Sequence, residues 1–184
     1  DPDVDRLALI CEDGNPFGEE YTLVAVADYI LSNKKGPSVS NLSSSRALRD
    51  ITEAAGCEYF ASAVGEVNVV TEMKRVGAVI GGEGNGGVIV PDLHYGRDSM
   101  IGIALFLSLL ANNNIKMTEL RAKYPQYYLS KNKIELSPSM DVDKILEEVK
   151  IKYAHERVTD IDGVKVDFDA EKKCRDGNCD KGWR

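Results

Sequence analysis

Short apolar runs alternate with segments of helical spacing along most of this chain, and no other feature restricts the fold as much. Runs of this length suit strands, and strands interleaved with helices build a sheet whose neighbours run parallel and whose faces are covered. Arg6 to Cys11 reads as the first strand, followed by a turn at Asp13-Gly14-Asn15-Pro16. A helix leads from Gly18-Glu19-Glu20 to about Asn33, with Tyr21, Val24, Ala27, Ile30 and Leu31 at helical spacing. Lys34-Lys35-Gly36-Pro37 stops it. Ser38 to Leu42 is the next strand, and Ser44 is placed to cap a helix that runs to Ala55 and ends at Gly56. Glu58 to Val64 (strand), Glu66 to Arg75 (helix), Ala78-Val79-Ile80 (strand) and Val88 to Val90 (strand, blocked by Pro91) follow. Gly96 to Asn112 is the most apolar helix, and Met117 to Lys123 is a further short one. The expected fold class is α/β, a layered mixed sheet, mainly parallel, flanked by helices.

After Tyr128 the texture changes. Lys131 to Leu136 reads as an edge strand, Ser137-Pro138-Ser139 as a turn, Asp141 or Asp143 as the start of an amphipathic helix to about Tyr153, and Val164 to Phe168 as a strand. The charged, turn-rich tail 169–184 has too little apolar content to close a core. This region is expected to be part of a second, incomplete α+β domain.

Gly81-Gly82-Glu83-Gly84-Asn85-Gly86-Gly87 joins two of the strands. Gly82, Gly84 and Gly87 match G-x-G-x-x-G, but that fingerprint needs a helix directly after the loop to receive a pyrophosphate. Val88-Ile89-Val90-Pro91 follows instead, which excludes a nicotinamide-type site. No Lys-Ser/Thr follows the glycines, so the loop is not a P-loop either. Glu83 and Asn85 are the side chains left to reach a ligand, and together they offer acceptors and a donor suited to sugar hydroxyls. A plain glycine hairpin with two solvated polar residues is the alternative. His94-Tyr95-Gly96-Arg97-Asp98 lies close enough in sequence to line the same cleft, although Arg97 and Asp98 read rather as solvated first-turn residues. Two histidines leave no convincing nucleophile–base pair.

The chain opens on Asp1-Pro2-Asp3-Val4-Asp5-Arg6. Carboxylates on alternate residues repel one another unless a cation neutralises them, and oxygen donors of this kind suit Mg²⁺ or Ca²⁺. Asp1, Asp3, Asp5 and Glu12 fit the ligand spacing of an EF-hand, but Arg6 stands where its glycine belongs, and strand rather than helix surrounds the loop. An aspartyl nucleophile would follow a strand rather than precede one. A metal loop that also handles phosphate accounts for Arg6, because guanidinium pairs with phosphate while a metal bridges the same anion. A solvated acidic segment is the remaining reading.

The 184 residues, 43% of them hydrophobic, allow one sizeable core or a domain with a partial second. A net charge of −7 without a basic block disfavours nucleic-acid binding. The longest apolar run, Met100 to Ala111, is interrupted by Gly102 and Ser108 and reads as a buried helix rather than a membrane span. Cys11, Cys57, Cys174 and Cys179 read as ordinary thiols, since only the last two are close and no second pair of zinc ligands accompanies them.

These motifs resemble a known family. Asp1-Pro2-Asp3-Val4-Asp5-Arg6 resembles the metal-binding loop of the α-D-phosphohexomutases, and Gly82-Glu83-Gly84-Asn85-Gly86-Gly87 their sugar-binding loop. Asn41-Leu42-Ser43-Ser44-Ser45-Arg46 and Val64-Gly65-Glu66-Val67-Asn68-Val69-Val70 look like that family's third domain. Asp162-Gly163-Val164-Lys165-Val166-Asp167-Phe168 looks like the start of its fourth. The loop variants are most similar to phosphoglucosamine mutase and phosphomannomutase-like members.

The resemblance implies that residues 1–18 end domain two, 19–129 form the sugar-binding domain three, and 130–184 open domain four. It implies Mg²⁺ held by Asp1, Asp3 and Asp5, a phosphoryl contact from Arg6, and sugar contacts from Glu83 and Asn85. Asn85 takes the place of a common serine. Gly87 and Glu66 stand where members carry histidine, and Ser43 stands where some have lysine, so Glu66 and Ser43 are further substrate-binding candidates. The implied activity is interconversion of hexose 1-phosphate and 6-phosphate by way of a bisphosphate and an enzyme phosphoserine, in the cytoplasm. No nucleic acid or membrane is involved. The phosphoserine loop is not found in this sequence. The chain is therefore expected to be an inactive fragment whose partners are the missing domains of the same enzyme, with Asp1, Asp3 and Asp5 mobile and metal-free. The competing class is a non-catalytic Ca²⁺- or sugar-binding module.

Overall fold

Four short strands form the sheet that organises the first part of the chain. In the computed structural model, which describes residues 2–130, 132–133, 135–137 and 140–168, β1 (Ser38–Asn41) lies between β2 (Tyr59–Ser62) and β3 (Ile80–Glu83) and runs parallel to both. β4 (Gly87–Ile89) pairs antiparallel with β3 at the edge. Parallel neighbours need a crossover, and α2 (Ala47–Ala54) and α3 (Glu66–Val76) supply one after β1 and one after β2. α1 (Glu19–Asn33), α4 (Ser99–Asn113) and α5 (Met117–Lys123) complete this unit, which spans Asp1–Tyr127.

Strand alternation divides the core in two. Val39, Gly81 and Ile89 are in register across β1, β3 and β4. Val39 and Ile89 pack with Val69 and Met73 of α3 and with Ala78. A Cβ at Gly81 would lie 2.4 Å from Met73 Sδ, so glycine here leaves room for the Met73 side chain of α3. Ile80 and Val88 belong to the other cluster, with Leu23, Val24 and Ala27 of α1, Leu48 of α2, and Phe106 and Leu109 of α4. Phe17 meets Phe106 edge to face at 5.1 Å. α1 is buried continuously from Tyr21 to Ala27, because the sheet, α2 and α4 all pack on it.

Most expected elements appear within a few residues of their sequence bounds, and three differ. Arg6 to Cys11 is not a strand: Arg6 makes an isolated bridge to Gly87 and Ile10 another to Pro16. Leu7 and Cys11 are buried while Ala8 and Ile10 face solvent, and the backbone finds partners at separate points rather than along a ladder. Ser44 does not cap α2, which starts at Ala47 behind Arg46 without a side-chain cap, because the Ser44 hydroxyl is engaged elsewhere. The described residues between 131 and 136 form no strand; Lys131 and Ile134, like the turn residues Pro138 and Ser139, lie outside the described residues.

The second unit spans Tyr128–Arg184. Within it, α6 (Val142–Lys152) is capped by Asp141, whose carboxylate accepts from the Lys144 N–H at 3.1 Å. β5 (Arg157–Thr159) pairs antiparallel with β6 (Lys165–Asp167). Cys11 and Cys57 are free thiols, whereas Cys174 and Cys179 lie outside the described residues. Among the described residues, no single helix is long and apolar enough to cross a membrane.

Candidate functional site

β1 and β3 are parallel, so Asn41 and Glu83 emerge at the same end of the sheet, where ligands of open α/β sheets bind. Asn41 Nδ2 donates to Glu83 Oε1 at 2.7 Å. The Ser44 hydroxyl donates to Asn41 Oδ1 at 2.9 Å and accepts from the Gly84 N–H at 3.0 Å. The loop after β1 therefore holds the start of the glycine turn directly. Glu83 is 5% exposed, and its buried carboxylate is satisfied from both sides. Asn85 reaches back to Glu83 Oε2 at 3.4 Å and accepts from the Gly87 N–H at 3.1 Å, so the turn is tied within itself. Ser43, half-buried, stands beside Ser44 on the loop that follows β1.

The acidic N-terminal segment lies against this same turn. The Leu7 N–H donates to Gly86 O at 3.0 Å, and the Leu7 carbonyl accepts from the Thr22 hydroxyl at 3.2 Å. The Ser99 hydroxyl donates to Val4 O at 2.7 Å. Gly86 has φ +87°, and a Cβ there would sit 2.5 Å from Leu7 O. Glycine at this position is what allows the two backbones to touch.

Arg97 joins the parts. Its Nη2 is 2.6 Å from Asp5 Oδ2, its Nη1 donates to Glu83 Oε2 at 3.0 Å, and its Nε is 3.3 Å from Glu66 Oε2. The Arg97 backbone N–H also donates to Glu66 Oε1 at 2.9 Å. Its side chain is 19% exposed, so it is not the solvated first-turn residue that its sequence context indicates. Three carboxylates around one guanidinium leave a local excess of negative charge, which Arg6 reduces only from a distance, its Nε lying 4.0 Å from Asp5 Oδ1. Asp98 is also not a loose surface charge. It caps α4 by accepting from the Met100 and Ile101 N–H groups at 2.8 and 3.1 Å, and it meets His94 Nε2 at 3.0 Å. The His94 hydrogen bond, followed by that from the Ile101 amide, holds its carboxyl below the usual range.

Of the sequence candidates, the fold thus brings together Asp5, Glu66, Glu83 and Asn85, with Arg6 exposed at the margin. Asp3 is exposed on the same segment, and Asp1 lies outside the described residues. Glu12 is elsewhere, its carboxylate accepting from the Thr118 hydroxyl and N–H, which removes the EF-hand reading. Among the described residues no three Asp, Glu, His or Cys side chains converge as a metal set. The carboxylates of Asp3 and Asp5 are nevertheless the donor type a hard divalent cation takes, and Asp5 Oδ1 is buried without a hydrogen-bond partner. That atom fits a cation ligand. Arg97 is the residue whose sequence context placed it near this cleft but favoured a solvated role, which its burial and three carboxylate partners overturn. Its only sequence signal is its nearness to a glycine loop: a Cβ at Gly87 would lie 2.5 Å from Arg97 Cδ, so the bare backbone at Gly87 makes room for its stem.

A family model described as phosphoglucomutase/phosphomannomutase, alpha/beta/alpha domain III, matches residues 18–128. The phosphoglucomutase/phosphomannomutase of Thermococcus kodakarensis is 33% identical over 172 residues, which is 92% of this chain and 37% of that protein. The phosphoglucosamine/phosphogalactosamine mutase of Sulfurisphaera tokodaii is 34% identical over 130 residues, 70% of this chain and 29% of that protein. A crystal structure of a phosphoglucomutase/phosphomannomutase family protein from Burkholderia thailandensis shares the fold, with a TM-score of 0.74 over 90% of this chain and 36% of that one, at 24% identity. The chain spans less than two-fifths of the length of these curated relatives. With the sheet order, the glycine turn between β3 and β4, and the match across 18–128, the chain belongs to the phosphohexomutase family.

Proposed function

We propose that this chain is the central part of a phosphohexomutase that interconverts the 1- and 6-phosphates of a hexose, with glucosamine, mannose and glucose phosphates as the candidate substrates. The observation that carries this reading is the meeting of the acidic segment and the glycine turn at Arg97, which puts Asp5 and Glu83 on one guanidinium. Asp1, Asp3 and Asp5 would hold Mg²⁺, which when bound supplies charge neutralisation at a transferring phosphoryl group. Arg6, exposed beside Asp5, would pair with a phosphate, a reading its exposure supports. Asn85 on the turn and Glu83 beneath it are the proposed contacts for sugar hydroxyls, with Glu66 and Ser43 on the flanking loops as further candidates. The relatives' names point to hexose and hexosamine phosphates.

In this reading residues 1–18 end one domain, 19–129 form the sugar-binding domain and 130–184 begin another. The phosphoserine belongs to a part of the enzyme outside this sequence, and the enzyme works in the cytoplasm. Asp5 is held by Arg97 rather than mobile as its sequence context led us to expect, so the chain alone is expected to take up Mg²⁺ weakly instead of remaining metal-free, to bind a hexose phosphate weakly and to show no isomerisation. Calorimetric titration with Mg²⁺, Ca²⁺ and glucosamine, mannose and glucose 6-phosphates tests this. Tight Ca²⁺ binding without any hexose-phosphate response would make the chain a binding module, and isomerisation by the isolated chain would refute the fragment reading.

A further inference from the structure

We propose that Arg97 is a positioning residue that couples the cation site to the sugar loop, so that a divalent cation at Asp5 and a hexose phosphate at Glu83 are not bound independently. This rests on the function proposed above. The geometry is that of a shared fork: one terminal nitrogen is on Asp5 Oδ2 and the other on Glu83 Oε2. By engaging Oδ2, Arg97 fixes the Asp5 carboxylate and leaves Oδ1 as the buried oxygen without a hydrogen-bond partner. The fork is itself held. Glu66 grips the Arg97 backbone N–H and faces Nε, while the stem fills the space above Gly87.

A guanidinium spans two carboxylates with its plane fixed, which a lysine ammonium cannot do from one nitrogen. Any ligand that draws Glu83 toward itself changes how strongly Arg97 holds Asp5, and the reverse holds by thermodynamic linkage. The three carboxylates, of which only Glu83 is buried, otherwise face one another with less than full compensation, so the guanidinium governs how much cationic charge the site still accepts.

The test is titration of the full 184-residue chain with MgCl₂, with and without saturating glucosamine 6-phosphate, for the wild type, R97K and G87A. R97K keeps the charge and loses the fork. G87A keeps every charged group and displaces chiefly the Arg97 stem, its Cβ lying 2.5 Å from Arg97 Cδ against 3.1 Å from Asn85 Oδ1. The wild type is expected to show Mg²⁺ affinity that changes about fivefold or more when the sugar phosphate is present. In both variants this response is lost and Mg²⁺ binds about tenfold more weakly, while circular dichroism shows the fold retained. Independent binding of the two ligands by the wild type overturns the coupling and leaves the proposed function standing, as does an unchanged response in R97K. Binding of neither ligand by the wild type overturns both.

Discussion

Asn41 and Glu83 meet at the ends of the parallel pair β1 and β3, with Asn41 Nδ2 donating to Glu83 Oε1 at 2.7 Å. Both residues are buried, at 4% and 5% exposure, so this bond lies beneath the glycine turn rather than on it. Asn41→Ala leaves a buried carboxylate oxygen unpaired and removes the acceptor of the Ser44 hydroxyl. The expected cost is about 1–3 kcal/mol, read as a lowered urea midpoint. Asn41→Asp places a second carboxylate against Glu83 and is expected to cost more.

Gly86 and Gly14 provide a matched pair. Both have positive φ, +87° and +84°, but a Cβ at Gly86 meets Leu7 O at 2.5 Å while one at Gly14 meets nothing. Gly14→Ala should cost only the backbone strain, about 1–2 kcal/mol. Gly86→Ala adds a backbone clash and is expected to release the acidic segment. Amide exchange checks this: the Leu7 amide, protected in the wild type by Gly86 O, should exchange rapidly in Gly86→Ala and remain protected in Gly14→Ala.

Asp98 should make the start of α4 acid-sensitive. Its folded pKa lies below the usual 3.8, first through the His94 hydrogen bond and then through the Ile101 amide. A depressed carboxyl contributes stability that is complete above 3.8 and disappears as the pH falls through its lower folded value. Asp98→Ala is expected to cost about 1 kcal/mol at neutral pH. The gap between variant and wild type should close on acidification below 3.8. Parallel urea titrations across that range would show it.

Tyr127 should act at the other end of the scale. Burial first, then its hydrogen bond to Asp50 and the charge of that carboxylate, push its phenol from 10.0 up to about 12. The unfolded chain ionises first, so the stabilisation present below pH 10.0 is lost as pH rises toward about 12. Tyr127→Phe is expected to flatten this alkaline loss without abolishing it, because burial and Asp28 shift Tyr124 in the same direction. Phenolate absorbance of wild type and variant, followed alongside unfolding, separates the two tyrosines.

What could be read without coordinates was local. The helical spacing of Tyr21, Val24, Ala27, Ile30 and Leu31 yields α1, and Gly77 closes α3 in a left-handed turn because no side chain opposes that conformation. Gly81 to Gly87 reads as a turn between strands for the same kind of reason, and the structure narrows that turn to Gly84–Gly86, with β3 running on through Glu83 and β4 starting at Gly87. Arg6 to Cys11 misled because an apolar run has the same composition whether its backbone joins a ladder or merely rests against one. Ser44 misled because a serine before a helix can cap it or can bond a distant loop, and Gly84 claimed it.

The sequence by itself therefore determined the α/β class, the crossovers and the residue types able to take a cation or a sugar, since these follow from periodicity and side-chain chemistry. Only the tertiary structure decided that Asp5, Glu66 and Glu83, carried on separate segments, share Arg97. Ion-pair partners are set by where the chain brings charges within a few ångströms of one another, in surroundings that water screens poorly. No spacing along the chain records that distance.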